Sequence, residues 1–294
     1  MTAGLSTTSQ FTNTMPKFIA EAKLTLSQEG AMQSTMKTMP LAKKSGKTLN
    51  IPTWNQPTAY ALVEGVEMAQ AQQFSDTNVA ITIAENAGVQ VLFTNLALDT
   101  IREDALRMAA RSMANAVAVK RDKDLLSLCS GFSNRIGSAG TSMGLGHIMA
   151  AKVSLLAQTR PVEGQIHGIF HPYMLHAVYE DMLNISSGAF GTTGPQSGNS
   201  ISEDIIRNYE WFDLAGIRVH VDPNITADGS DDGSGSVHAS DALIYVPYDE
   251  ESIEDEYKPA LRATELNMVA TYGYGEYADA WGREMLFDMA AVTS

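Results

Sequence analysis

Apolar and polar positions alternate in two neighbouring runs. Val79, Ile81 and Ile83 alternate with Ala80 and Thr82, then Val89, Val91 and Phe93 alternate with Gln90, Leu92 and Thr94. Period-two alternation predicts half-buried strands, and Asn86-Ala87-Gly88 between them suits a turn or a bulge. The period then changes. Thr100-Ile101-Arg102-Glu103 has the form of a capping box. Six alanines between 105 and 118 favour helix, and Glu103/Arg107 and Lys120/Asp124 lie four residues apart. The pattern predicts a helix over 100–129, about 45 Å long at 1.5 Å per residue.

Upstream, Thr14, Pro16 and the stripe Phe18, Ile19, Ala22, Leu26 predict a short helix over 15–28. Residues 48–54 read as extended, with Pro52 restricting them to an edge. Residues 55–76 are polar and rich in Gln and Ala. Downstream, a helix is expected over 146–159, a buried strand over 165–171, and a helix from Pro172 to about Leu183. A Gly-rich loop follows over 188–200, then a short helix opening at Ser202. Strands are expected over 216–221 and 242–246, with extended structure over 261–292. No internal repeat is visible.

Charge adds a polarity to this plan. Net charge is −14, which argues against general nucleic-acid binding. Residues 1–60 hold six lysines and two glutamates, whereas 131–294 carry a balance of −15. A basic segment therefore precedes an acidic body, as in chains whose arm has its own partner. Charged residues make up 18%, below the roughly 25% of a typical domain, which suits a surface hidden in contacts. The single cysteine, Cys129, permits no intrachain disulfide. Residues 1–20 lack the apolar stretch of a secretory leader, and no run reaches the roughly 18 apolar residues of a membrane span. Synthesis and assembly in a cytoplasm are expected.

Candidate chemistry is sparse. His167, His171 and His176 cluster in sequence, but Gly168 and Pro172 interrupt any helix that would align them, so no metal site is expected. The stretch 228–233 resembles the first half of a calcium loop. Its twelfth position is Ala239, where a bidentate Glu belongs, so an acidic, flexible surface loop is expected. Six carboxylates in eight residues, 249–256, read as a solvated helix face. No phosphate-binding loop, dinucleotide fingerprint or nucleophile elbow appears. No catalytic residue and no cofactor is expected.

The order of elements resembles the major capsid proteins of tailed bacteriophages, which share the Hong-Kong-97 fold. The run Val79 to Asp99 resembles the approach to that family's spine helix. Residues 169–175 (Ile-Phe-His-Pro-Tyr-Met-Leu) are similar to its strand–Pro–helix unit. Residues 214–221 (Leu-Ala-Gly-Ile-Arg-Val-His-Val) resemble its later glycine-then-strand unit. The resemblance implies an α+β fold. Its parts would be an N-terminal arm (1–45), an extended β-hairpin loop (46–85), a peripheral domain (86–140 and 250–294, spine helix 100–129) and an axial domain (141–249). It implies a non-enzymatic shell protein of the virion that self-assembles into hexamers and pentamers around double-stranded DNA. It also implies a separate scaffolding protein, a portal, and no membrane partner. Phe18 and Ile19 of the arm, and Trp54, Tyr60, Val63 and Phe74 of the loop, are the expected inter-subunit contacts. Two other readings are an encapsulin-type shell holding cargo enzymes and a metal-dependent hydrolase using His167 and His171.

Overall fold

The apolar stripe of the long helix finds its partner in a sheet of β-branched and aromatic strands. A computed structural model describes residues 31–96, 103–188 and 213–290, apart from 45, 56, 62, 66, 68–70, 159, 161 and 163. The expected helix at 15–28, the arm residues Phe18 and Ile19, the Thr100 cap, the loop at 188–200 and the helix from Ser202 lie outside the described residues, wholly or for the most part.

The long helix, α1, spans Glu103–Leu126, 24 residues or about 36 Å. Ala110, Met113, Ala114, Val117, Ala118, Arg121 and Leu125 are buried at helical spacing, and Lys120 pairs with Asp124. A 3-10 turn, Ser127–Gly131, continues it. The helix packs on β4 (Ala84–Thr94) and β11 (Ala263–Glu276). These belong to a four-stranded sheet ordered β1-β10-β11-β4, with β1 at Lys37–Thr38 and β10 at Leu243–Lys258. The Tyr272 hydroxyl of β11 donates to Asp124 Oδ2 at 2.8 Å.

Asn86-Ala87-Gly88 is a bulge rather than a turn. β4 runs through it, with a register shift opposite Ala270/Thr271. The chain reverses nothing there because β11 supplies a continuous antiparallel partner.

The second sheet has six strands, ordered β5-β12-β9-β6-β8-β7. They are β5 (Arg135–Gly137), β6 (Ile166–Phe170), β7 (Asp213–Leu214), β8 (Ile217–Val221), β9 (Asp232–Ala239) and β12 (Gly282–Asp288). Helix α2 (Leu145–Leu156) precedes β6, and α3 (Pro172–Gly188) follows it, running five residues beyond its expected end. Pro172 suits the first helical position, where no amide partner is needed. β5 and β12 share this sheet with β6, β8 and β9, although the sequence boundaries set them in different domains.

Two readings are corrected here. The acidic run 249–256 is strand, not helix. It lies in β10, paired with β11 from Leu243↔Glu276 to Lys258↔Ala263. The apolar residues Leu266, Met268 and Ala270 of β11 hold the ladder, so packing overrides the poor strand propensity of acidic residues. The acidic stretch 228–232 is an anchored turn, not a flexible loop. Asp228 Oδ1 accepts from the amides of Ser230 (2.7 Å) and Asp232 (3.0 Å), and buried Asp232 accepts from Gly140 N–H at 2.6 Å. Asp232→Ala should therefore cost about 1–3 kcal/mol, since Gly140 N–H loses its buried acceptor. Exposed Asp231, at φ 60°, should tolerate Asn without change. Urea midpoints of the two variants check this; equal midpoints would show that the turn is not anchored through Asp232.

Candidate assembly surfaces

Residues 48–82 form a two-stranded antiparallel ribbon of β2 (Thr48–Trp54) and β3 (Asp76–Thr82), in register from Thr48↔Thr82 to Trp54↔Asp76. Alternation explains its base. Leu49, Ile51, Val79 and Ile81 turn to one face and pack against Ile83, Ile244 and Val246. Beyond the base the ribbon loses its core. Every described residue from Trp54 to Asn78 is exposed. Trp54 (64% exposed) and Phe74 (64%) meet edge to face, ring centroids 6.4 Å apart at 76°. Tyr60 and Val63 are also exposed, in the connection between the strands. Gln72 holds that connection by pairing with the backbone of Thr58 in both directions. Four of the six expected contact residues thus carry free apolar surface, and two of them touch.

The segment before the ribbon runs beside β10. β1 pairs in parallel with Ile244–Tyr245, and Met39 N–H donates to Tyr245 O at 2.9 Å. Lys37 meets Asp241 at 3.0 Å and Lys43 meets Asp249 at 3.5 Å. The basic-to-acidic asymmetry of the sequence is therefore realised partly within one chain.

A 3-10 turn, Met32–Thr35, is seated on buried polar groups. Met32 N–H donates to Asp122 Oδ1 at 3.3 Å, and Thr35 Oγ1 lies 3.3 Å from His238 Nε2. His238 Nδ1 lies 3.0 Å from Ser236 Oγ, which is 3.1 Å from Cys129 Sγ. His167 stands opposite His238 in the sheet and contacts His220 instead of His171, Nδ1 to Nε2 at 3.1 Å. Burial, then the neighbouring histidines, depresses His238 to about 3. Burial, then His220 and Arg218, depresses His167 to about 4. Burial pushes the Cys129 thiol up to about 12, so it is an inert core residue.

His171 packs against Tyr173, and His176 lies 4.0 Å from Glu180. His167 and His171 of the hydrolase reading therefore do not converge, and His176 joins neither. Among the described residues, no group of three or more His, Cys, Asp or Glu is placed to hold a metal ion. No described helix is long and apolar enough to cross a membrane.

Two surfaces escaped the sequence reading. Met149, Val153 and Leu156 of α2 are each at least half exposed and follow i, i+4, i+7 spacing, a stripe that helical projection reveals. Leu92, Leu96, Tyr257 and Leu261 are exposed where β4 ends beside the β10–β11 connection. Nothing local marks that patch, because strand pairing assembles it from distant segments.

No protein-family model and no curated protein matches this chain. Solved structures do. A chain from Mycobacterium phage Che8 is 16% identical, with a TM-score of 0.66 over 84% of this chain and 86% of that one. The head structure of Helicobacter pylori bacteriophage KHP40 matches at 10% identity and TM-score 0.66, covering 87% and 88%. The capsid asymmetric unit of Cyanophage Pam1 matches at 14% and 0.62, covering 85% and 87%. The fold is that of phage capsids. It is the α+β, Hong-Kong-97-type fold that the order of elements implied, and the match extends over most of both partners rather than one sheet.

Proposed function

We propose that this chain is a major capsid protein of a tailed phage, a non-enzymatic shell subunit of the virion. The observation that carries the reading is the fold match over 84–87% of the chain, joined to a ribbon whose outer half has exposed apolar residues and no core of its own. A two-stranded ribbon is marginal alone in water, so its outer half needs a surface to lie on. A neighbouring copy supplies one. Repeating that heterologous contact closes rings, here hexamers and pentamers, that build an icosahedral shell. The arm is assigned to 1–45, the extended loop to 46–85, the peripheral domain to 86–140 and 250–294, and the axial domain to 141–249. In this assignment β5 and β12 reach into the axial sheet. The acidic body would repel packaged double-stranded DNA and leave it mobile. A scaffolding protein and a portal are the expected partners, and assembly takes place in the host cytoplasm.

Electron microscopy of the expressed protein, with light scattering, tests this. Capsomers or closed shells are expected. A monodisperse particle near the 31.7 kDa chain mass at high concentration would exclude it.

A further inference from the structure

Four polar side chains lie in series in the core, where solvent does not reach. Cys129, Ser236, His238 and Thr35 are all fully buried, and they come from three elements: the 3-10 turn after α1, strand β9 and the Met32–Thr35 turn. Cys129 Sγ is 3.1 Å from Ser236 Oγ, Ser236 Oγ is 3.0 Å from His238 Nδ1, and His238 Nε2 is 3.3 Å from Thr35 Oγ1. The series ends at Met32 O, which accepts from the Thr35 hydroxyl at 2.8 Å. Counting hydrogens gives it a direction. Thr35 has one hydroxyl hydrogen, and Met32 O takes it. His238 Nε2 must therefore carry the hydrogen that it shares with Thr35 Oγ1. A neutral imidazole has a single N–H, so Nδ1 is an acceptor. Ser236 donates to Nδ1 and accepts from the Cys129 thiol, which burial keeps protonated. Each hydrogen is used once and every group in the series is satisfied. The reverse direction would take the hydroxyl from Met32 O and leave the thiol hydrogen without an acceptor, which buried groups avoid.

We infer that His238, fixed as its Nε2–H tautomer, is the positioning residue that sets the register in which the chain leading out of residues 1–30 joins the body of the subunit. The apolar anchors of that segment are Met32 and Met36, both buried in the main core. Methionine is unbranched and fills irregular gaps, so such anchors hold a segment without specifying its place. Met32 N–H meets Asp122, which Asn224 joins to Asp222. A backbone amide is present at every position, so this contact does not choose a register either. β1 pairs with β10 over Lys37 and Thr38 alone, too short a ladder to decide it. Among the buried residues Met32, Thr35 and Met36, Thr35 alone carries a hydroxyl. The hydrogen bond from His238 to that one atom is directional, and it specifies what the methionines leave open.

The inference deepens the assignment of residues 1–45 as an arm and rests on it for its purpose. An arm that meets the same neighbour in every subunit must leave every subunit from the same place. The contacts themselves lie within one chain, so a subunit that never assembles would give the same readings, and the outcome is separate from whether shells form.

The test uses the full chain carrying Trp54→Ala, which keeps it unassembled. Ring nitrogen chemical shifts of His238 near neutral pH should be those of a neutral Nε2–H imidazole. An Nδ1–H ring or a charged one overturns the inference. Amide hydrogen exchange then separates register from packing. Thr35→Val keeps the shape of the side chain and removes the hydroxyl. It should lower protection over Met32–Met39 by about tenfold to a hundredfold, as expected for a buried donor left without its acceptor. Exchange across 264–272 of β11 should not change. Thr35→Ser keeps the hydroxyl and loses one methyl, so protection should fall less, by about fourfold. Unchanged protection in Thr35→Val, an equal or larger loss in Thr35→Ser, or a loss shared by β11 overturns the inference. If Thr35→Val fails to fold, the ring tautomer in the parent chain decides.

Discussion

Trp54→Ala should abolish shell closure while leaving the subunit folded. Within one chain the indole is 64% exposed, and its only ring contact among the described residues is the edge-to-face pair with Phe74. Such a pair contributes about 0.5–1.5 kcal/mol, so subunit stability should hardly move. At a contact that buries the ring fully, truncation costs about 3–5 kcal/mol. Since about 1.4 kcal/mol is a factor of ten in association, and every subunit repeats the contact, even half that loss prevents closure. Phe74→Ala should act the same way, more weakly. Circular dichroism and shell yield are measured together. Loss of helix content alongside assembly would place Trp54 in a subunit core and refute the loop assignment. Closed shells at wild-type yield would show that the ribbon's outer half is not the contact.

The ribbon was readable because its residues obey local rules: alternation at its base, Pro52 at an edge, polar residues where no core exists. The long helix was readable for the same reason, in its alanines and spaced charges. β9 was not. Asp-Gly-Ser-Gly-Ser-Val-His-Ala reads as a loop, yet it is a central strand between β12 and β6. Gly235 is required by close packing against backbone, not by a turn, whereas Gly233 faces the movable Met289 side chain. A Cβ on Gly235 would lie 2.5 Å from Ile169 O, and one on Gly233 would lie 2.1 Å from Met289 Sδ. The acidic half of β10 was misread for a related reason, since its strand state comes from β11. The contact candidates Trp54 and Phe74 were legible as unpartnered aromatics in a polar stretch. The seat of Met32–Thr35 was not, because Asp122, Asp222 and His238 meet only after both sheets form.

Those buried groups oppose each other in acid, which sets the expected pH profile. His238 is fully buried and His167 is 6% exposed. Both stay neutral in the fold, while in the unfolded chain they charge below about pH 6.5. Their folded values are depressed, so stability is unaffected above pH 6.5. It is lost as pH falls, about 1.4 kcal/mol per unit for each histidine, down to about pH 4 for His167 and about pH 3 for His238. Asp222 and Glu276 run the other way. Burial first, then Asp122 for the one and Asp279 for the other, raises both to about 7. They hold protons that the unfolded chain releases above about pH 4, so their contribution grows as pH falls from 7 towards 4. The wild type should therefore show a shallower dependence between pH 7 and 5 than the histidines alone would give, because the two pairs oppose each other. In Asp222→Asn/Glu276→Gln the carboxyl contribution is removed, while the amide at position 222 can still accept from Asn224 N–H. Stability should then fall by roughly 2–3 kcal/mol per pH unit below 6.5. Urea midpoints at pH 7.5, 6.5 and 5.5, in the assembly-blocked Trp54→Ala background, measure the slope without the concentration dependence of an assembly. A flat profile in the double variant would mean that the histidines are not held neutral in the core, and that Thr35 does not rest on an uncharged His238.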